Sequence, residues 1–133
     1  MGDELKIKIH SFTLDCRDPH ALADFYAKLL NWKSKSLGED WACVYATGNS
    51  KEASPCILFQ RNLDYVPPVW PETDGAQQQM AHLDFDVNDL EKAVEHAIKC
   101  GASMSEQQFS DRWRVMFDPA GHPFCLCKMD NDD

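Results

Sequence analysis

The sequence predicts an α+β fold made of two similar halves, each a strand, an amphipathic helix and two or three further strands. The helices lie on one sheet face and the other face is left open. Three observations predict this. His82-Leu-Asp-Phe-Asp-Val87 alternates polar and apolar side chains, the period of a strand packed on one face only. After it, Leu90, Ala93, Val94, Ala97 and Ile98 fall on one helical stripe that Gly101 stops. The same succession starts earlier, at Ser11-Phe-Thr-Leu-Asp-Cys-Arg-Asp18, and the offset is constant at 71 residues from Ser11 to His82 and from Asp18 to Asp89.

Lys6 to Cys16 reads as the first strand, with Ile7 and Ile9 continuing its alternation. Asp18 is the expected N-cap of the first helix and Pro19 fits its first position. Leu22, Phe25, Tyr26, Leu29 and Leu30 form the apolar stripe, and Asn31 suits a left-handed closing residue. Trp32 to Leu37, Trp41 to Thr47 and Cys56 to Gln60 read as strands, with turns at Gly38-Glu-Asp and Gly48-Asn-Ser. Arg61 to Gln79, carrying Pro67, Pro68 and Pro71, is an irregular connection in which Trp70 is expected to cover something. In the second half Asn88 is the expected N-cap, with Glu91 completing a capping box. Ala102 to Phe109, Arg112 to Phe117 and Pro123 to Lys128 are the remaining strands, with an Asp118-Pro-Ala-Gly121 turn between the last two. The 133 residues thus form one domain, with module one at about 5–61, a linker at about 62–79 and module two at about 80–129.

A formal charge of −9 and a pI near 4.9 argue against nucleic acid and anionic membrane surfaces as partners. Met1-Gly-Asp-Glu has neither a basic n-region nor an apolar h-region, and no apolar run spans a bilayer, so a cytoplasmic protein is expected. Met129 to Asp133 reads as a frayed acidic tail. Cys16, Cys43, Cys56, Cys100, Cys125 and Cys127 lie scattered in apolar runs, which predicts reduced thiols packed as small hydrophobes.

Asp15-Cys-x-Asp-Pro-x-Ala-Leu-Ala-x-Phe-Tyr26, His82-Leu-Asp-Phe-x-Val-x-Asp-Leu90 and Trp113-x-Val-x-x-Asp-Pro-x-Gly-His-Pro-Phe124 together span nearly the whole chain. In these motifs it resembles the vicinal oxygen chelate superfamily of glyoxalase I, bleomycin-resistance proteins and dioxygenases, and most closely the small glyoxalase-like branch. The resemblance implies two βαβββ modules whose mixed sheet forms an open cup around one cavity, helices on the outer face, and a homodimer. It also implies four metal positions, one on each inner strand. By motif register these fall on Ser11, near Gln60, on His82 and on Cys125. Only His82 is a residue the family usually places there. Serine hydroxyl and glutamine carbonyl are weak neutral donors, whereas a catalytic divalent site wants about three strong ones. The preferred reading is therefore a fold that has kept its cavity and holds no catalytic metal. The alternative is one divalent ion (Zn, Ni, Fe or Mn) on His82, Cys125, Gln60 and Ser11, serving a lyase, isomerase or dioxygenase.

The candidate catalytic residues are His82 and Asp84, two residues apart on one strand face, which suits a metal-free acid–base pair or a hydrogen-bonded cavity histidine. The candidate cavity residues are Ser11, Thr13, Trp41, Tyr45, Gln60, Trp70, Trp113 and Cys125. Arg112 and Arg114, opposite Trp113, suit either an anionic ligand or charge balance, and His122 suits a backbone-bonding role in its turn. Asp15 and Asp86 suit capping or ion pairing at the helix starts. Together these residues predict a small-molecule-binding protein whose ligand is partly aromatic or apolar.

Overall fold

The computed structural model describes residues 4–47 and 55–129. The turn expected at Gly48-Asn-Ser and the last four residues of the acidic tail lie outside the described residues. The chain divides into two compact units, Met1–Asn62 and Leu63–Asp133. Both repeat one βαβββ pattern, so the fold is α+β with two modules.

The first module contains β1 (Ser11–Cys16), α1 (Pro19–Leu30), β2 (Lys33–Ser36), β3 (Trp41–Tyr45) and β4 (Cys56–Arg61), in the sheet order β1-β4-β3-β2. β1 runs parallel to β4 and the other pairs are antiparallel. Asp18 caps α1 by accepting a hydrogen bond from the Ala21 amide, Pro19 opens the helix, and Asn31 closes it at φ 56°. Leu22, Phe25 and Tyr26 are buried on the stripe read from the sequence, and the Tyr26 ring stacks on Phe59 of β4 at 5.6 Å. α1 therefore covers the sheet face that carries Ala42, Val44, Ile57 and Phe59. The alternation of Ile7 and Ile9 does not become strand. These side chains stay exposed, and ladder pairing starts only at Ser11, opposite Cys56.

The second module contains β5 (Leu83–Val87), α2 (Leu90–Cys100), β6 (Ser103–Met104), β7 (Trp113–Phe117) and β8 (Pro123–Lys128), in the order β5-β8-β7-β6. Its parallel pair is β5–β8. The N-cap of α2 is Asp89, whose carboxylate accepts from the Lys92 amide at 3.1 Å, and not Asn88. The repeat explains this, because Asp89 is the counterpart of the Asp18 cap at the same 71-residue offset. α2 is less deeply packed than α1. Of its stripe only Ala97 is fully buried, and Ile98 remains 49% exposed.

β6 is two residues long where the sequence suggested a strand reaching Phe109. The reason is Gln108, whose side-chain amide replaces the ladder. Its Oε1 accepts from the Val115 amide at 2.8 Å, and its Nε2 donates to the Val115 carbonyl at 3.1 Å and the Ser105 carbonyl at 2.9 Å. The edge bonds of β7 are thereby taken, and Phe109 is released from the sheet.

The connection between the repeats packs on the second module. The Tyr65 hydroxyl donates to the Ala120 carbonyl at 2.8 Å, and Val69 bridges Gln78. In the turn before β8, Gly121 has φ +94°, and a Cβ there would lie 2.9 Å from Pro67 Cβ, so both conformation and space require glycine. Buried Asp118 holds the turn by accepting from the amides of Ala120 and His122 and pairing with the His122 ring at 2.9 Å. His122 thus belongs to the turn.

Asp89→Ala is expected to lower stability by about 1 kcal/mol, as cap removals do, whereas Asn88→Ala changes it by only a few tenths. Urea unfolding followed by circular dichroism compares the two, and the reverse order would restore the capping box centred on Asn88.

Candidate functional site

The site grows out of the β5–β8 ladder. Cα pairing sets Asp84 opposite Cys125 and Asp86 opposite Cys127, and the next pair across sets Trp113 opposite Cys127. Residues paired in this way share a sheet face. Asp84, Cys125, Cys127 and Trp113 therefore stand on one face, while Phe85, Phe124 and Leu126 stand on the other. His82, just before β5, brings its Nε2 to 3.2 Å from an Asp84 carboxylate oxygen. Donor atoms of His82, Asp84 and Cys125 all lie within 4.8 Å of one another, the one such His, Cys or carboxylate group among the described residues.

Aromatic rings roof this polar cluster. The Trp70 ring lies 5.1 Å from the His82 ring, tilted by 30°, and Phe109 lies 6.2 Å beyond Trp70. With Trp113 and the two thiols they line an open, mainly apolar pocket of about 520 Å³. A larger depression of about 630 Å³ runs beside the start of α2, but charged side chains such as Glu91, Asp111 and Lys128 line it, without an aromatic ring or thiol. The histidine, the thiols and the aromatic rings line the smaller pocket.

Electrostatics inside the pocket keep its thiols protonated. Burial pushes the Cys125 thiol up to about 12, helped by the Asp84 charge and by the hydrogen bond between thiol and carboxylate. Cys127 is also raised, by burial first and then by Asp84 and Asp86. The six cysteines are present as thiols, and Cys16, Cys43 and Cys125 are buried.

Of the residues named from the sequence, the second module brings His82, Asp84, Trp70, Trp113 and Cys125 into one pocket. Phe109 and Cys127 join them. Phe109 was hidden in an expected strand, and only the Gln108 interaction frees it. Ser11, Thr13, Trp41, Tyr45 and Gln60 belong to the first module. There, Thr13 pairs with Leu58, Leu58 with Cys43, and Gln60 with both Asp15 and Trp41. These residues share the face turned away from the side that meets α1. The ladder also gives a register to the position expected near Gln60. Thr13 is the counterpart of Asp84, so the counterpart of Cys125 is Leu58. An alkyl side chain and the Ser11 hydroxyl do not fit the four-strand metal set that the resemblance implied.

Arg114 lies on the opposite face from Trp113 and donates to the Ser110 and Trp113 carbonyls. Asp15 accepts from the Asn62 side chain at 3.1 Å, while capping falls to Asp18.

Comparison with known proteins adds family and fold. The family described as "Glyoxalase-like domain" matches residues 11–127. No curated protein matches the chain significantly. Among solved structures, a glyoxalase/bleomycin resistance protein/dioxygenase family enzyme from Burkholderia phytofirmans PsJN is 20% identical. It has a TM-score of 0.64, with 90% of this chain and 96% of that one covered. The trypanothione-dependent glyoxalase I of Leishmania major is 15% identical, with a TM-score of 0.62 and coverage of 92% and 87%. TnmS3, an antibiotic binding protein from Streptomyces sp. CB03234, is 13% identical, with a TM-score of 0.61 and coverage of 96% and 100%. At these identities the likeness is one of fold. No described helix is long and apolar enough to cross a membrane.

The raised Cys125 thiol has a consequence for stability. The unfolded chain releases this proton near the ordinary value of 9.0, while the folded chain holds it to about 12. Stability from this group is complete below pH 9 and is lost as pH rises from 9 to 12. Asp84→Asn removes a charge that raises the thiol, so the loss should still begin near pH 9 but end at a lower pH and be smaller, while iodoacetamide modifies Cys125 faster at pH 8. Peptide mapping reads the rate, and an unchanged rate would remove Asp84 as a cause.

Proposed function

The chain belongs to the glyoxalase-like domain family, and from that footing we propose that it binds a small, planar, partly aromatic molecule on the open face of the second module's sheet. The observation that carries this reading is the pocket in which Trp70, Phe109 and Trp113 surround the polar cluster of His82, Asp84 and Cys125. A site with aromatic walls and few polar groups suits a ligand that stacks and is then oriented by one or two hydrogen bonds. His82 and Asp84 are the orienting pair, because a ring nitrogen and a carboxylate offer both a donor and an acceptor at the pocket floor. Antibiotic binding by TnmS3, on the same fold, is in keeping with such a role.

Binding of this kind works by stacking and hydrogen bonding. It does not call on the four-strand metal set, whose first-module positions carry Ser11 and Leu58. The cytoplasm and a homodimer remain part of the reading, and light scattering of the purified protein tests the dimer.

Titration with planar polycycles such as acridine and anthraquinone-2-sulfonate, followed by tryptophan fluorescence, tests the proposal. Saturable quenching is expected, and Trp70→Ala should weaken it by about tenfold, the equivalent of about 1.4 kcal/mol of stacking. His82→Ala should weaken ligands that carry a polar edge more than those that carry none. Binding that survives Trp70→Ala and Trp113→Ala unchanged would sink this reading.

A further inference from the structure

We infer that the ligand of the second module's pocket is an organic cation, a planar ring system whose positive charge is quaternary or spread over the ring, held between the aromatic walls and the Asp84 carboxylate. The inference rests on the ligand reading above and adds to it the sign and the form of the ligand's charge.

The strand period sorts the charged side chains of this sheet by sign. β5 to β8 carry four of them, Asp84, Asp86, Arg114 and Lys128. Asp84 pairs with Cys125 and Asp86 with Cys127, so both carboxylates stand on the pocket face. Arg114 pairs with Leu126 and Lys128 with Val87, which puts both cations on the opposite face. There they line the depression beside α2 together with Glu91 and Glu95. The Arg114 guanidinium is held locally by the Ser110 and Trp113 carbonyls. Among the described residues no lysine or arginine lines the pocket, and Asp84 is its one carboxylate.

The walls act in the same direction. Trp70, Phe109 and Trp113 present ring faces, which carry the negative part of the aromatic quadrupole and attract a cation within about 6 Å. An anion in the same place is opposed both by the ring faces and by Asp84. The acceptors available then decide the form of the charge. A primary ammonium has three donors and is strongly hydrated, so it asks for several acceptors at once. The pocket offers one carboxylate, with His82 Nε2 3.2 Å from its oxygen. A quaternary or ring-delocalised cation makes little such demand and stacks as a neutral ring does. The Asp84 side chain is 59% exposed, so water and salt screen its pull, and the result is a moderate preference for positive charge.

Calorimetric titration of the full chain at pH 8 with three flat tricyclic compounds tests the assignment: N-methylacridinium, uncharged acridine and anthraquinone-2-sulfonate. The cation should bind about tenfold more tightly than acridine, and the sulfonate more weakly than either. Asp84→Asn changes an exposed side chain and should shrink the preference for the cation to about twofold. Lys128→Gln, on the other face of the sheet, should leave that preference as it is, and added salt should narrow it. Three results would overturn the assignment: equal binding of acridine and its N-methyl cation, tighter binding of the sulfonate, or a preference that Asp84→Asn leaves intact. A shift as large in Lys128→Gln as in Asp84→Asn would also overturn it, by tracing the preference to the net charge of the chain. In each of these cases acridine still binds and the ligand reading stands. Failure of all three compounds to bind would remove the ligand reading, and this inference with it.

Discussion

In the parallel ladder between β5 and β8, Asp84 faces Cys125 across the strand gap, and the rest of the second module's chemistry follows from that pairing. A strand alternates its side chains, so a slip of one residue would turn Asp84 into the helix side and Phe85 into the pocket. The apolar set Phe85, Phe124 and Leu126 prevents this, because the Phe85 and Phe124 rings meet at 5.8 Å on the other face. The core therefore holds the register, and the register positions the polar cluster. The cluster in turn contributes little to stability on its own, since the His82–Asp84 pair is partly exposed and solvent screens it.

The two modules share a topology but differ in how they use it. In the first, α1 buries Leu22, Phe25 and Tyr26 against a sheet whose helix side is almost fully closed. In the second, α2 rests on a smaller buried surface centred on Ala97, and the irregular connection supplies further packing through Tyr65, Pro67 and Trp70. The module with the lighter helix cover is the one that gathers histidine, carboxylate, thiols and three aromatic rings. Placing part of a pocket wall on a connection, with the chemical groups on strands, combines adaptable walls with a fixed floor.

Two histidine–aspartate pairs in this module illustrate how surroundings decide a role. Asp118 is buried and spends its carboxylate on two backbone amides and the His122 ring, which leaves that pair to hold a turn. Asp84 has as its neighbours a histidine ring and a thiol that open on a cavity. The same two residue types thus yield a structural clasp in one place and a polar pocket floor in the other.

Local periodicity and capping chemistry act over a few residues, so the sequence alone determined the α+β class, the repeat, both helices and most strands. It also determined that His82 and Asp84 share a face, because that follows from the two-residue period of a strand. Cα pairing between strands is different, since it depends on how intervening turns close. That Leu58, two residues before Gln60, stands opposite Thr13 was therefore decided only in three dimensions. So was the early end of β6, where one glutamine side chain competes with the backbone ladder and delivers Phe109 to the pocket. The meeting of Trp70 with His82 across an irregular connection has the same origin, because a proline-broken segment carries no period from which its path could be read.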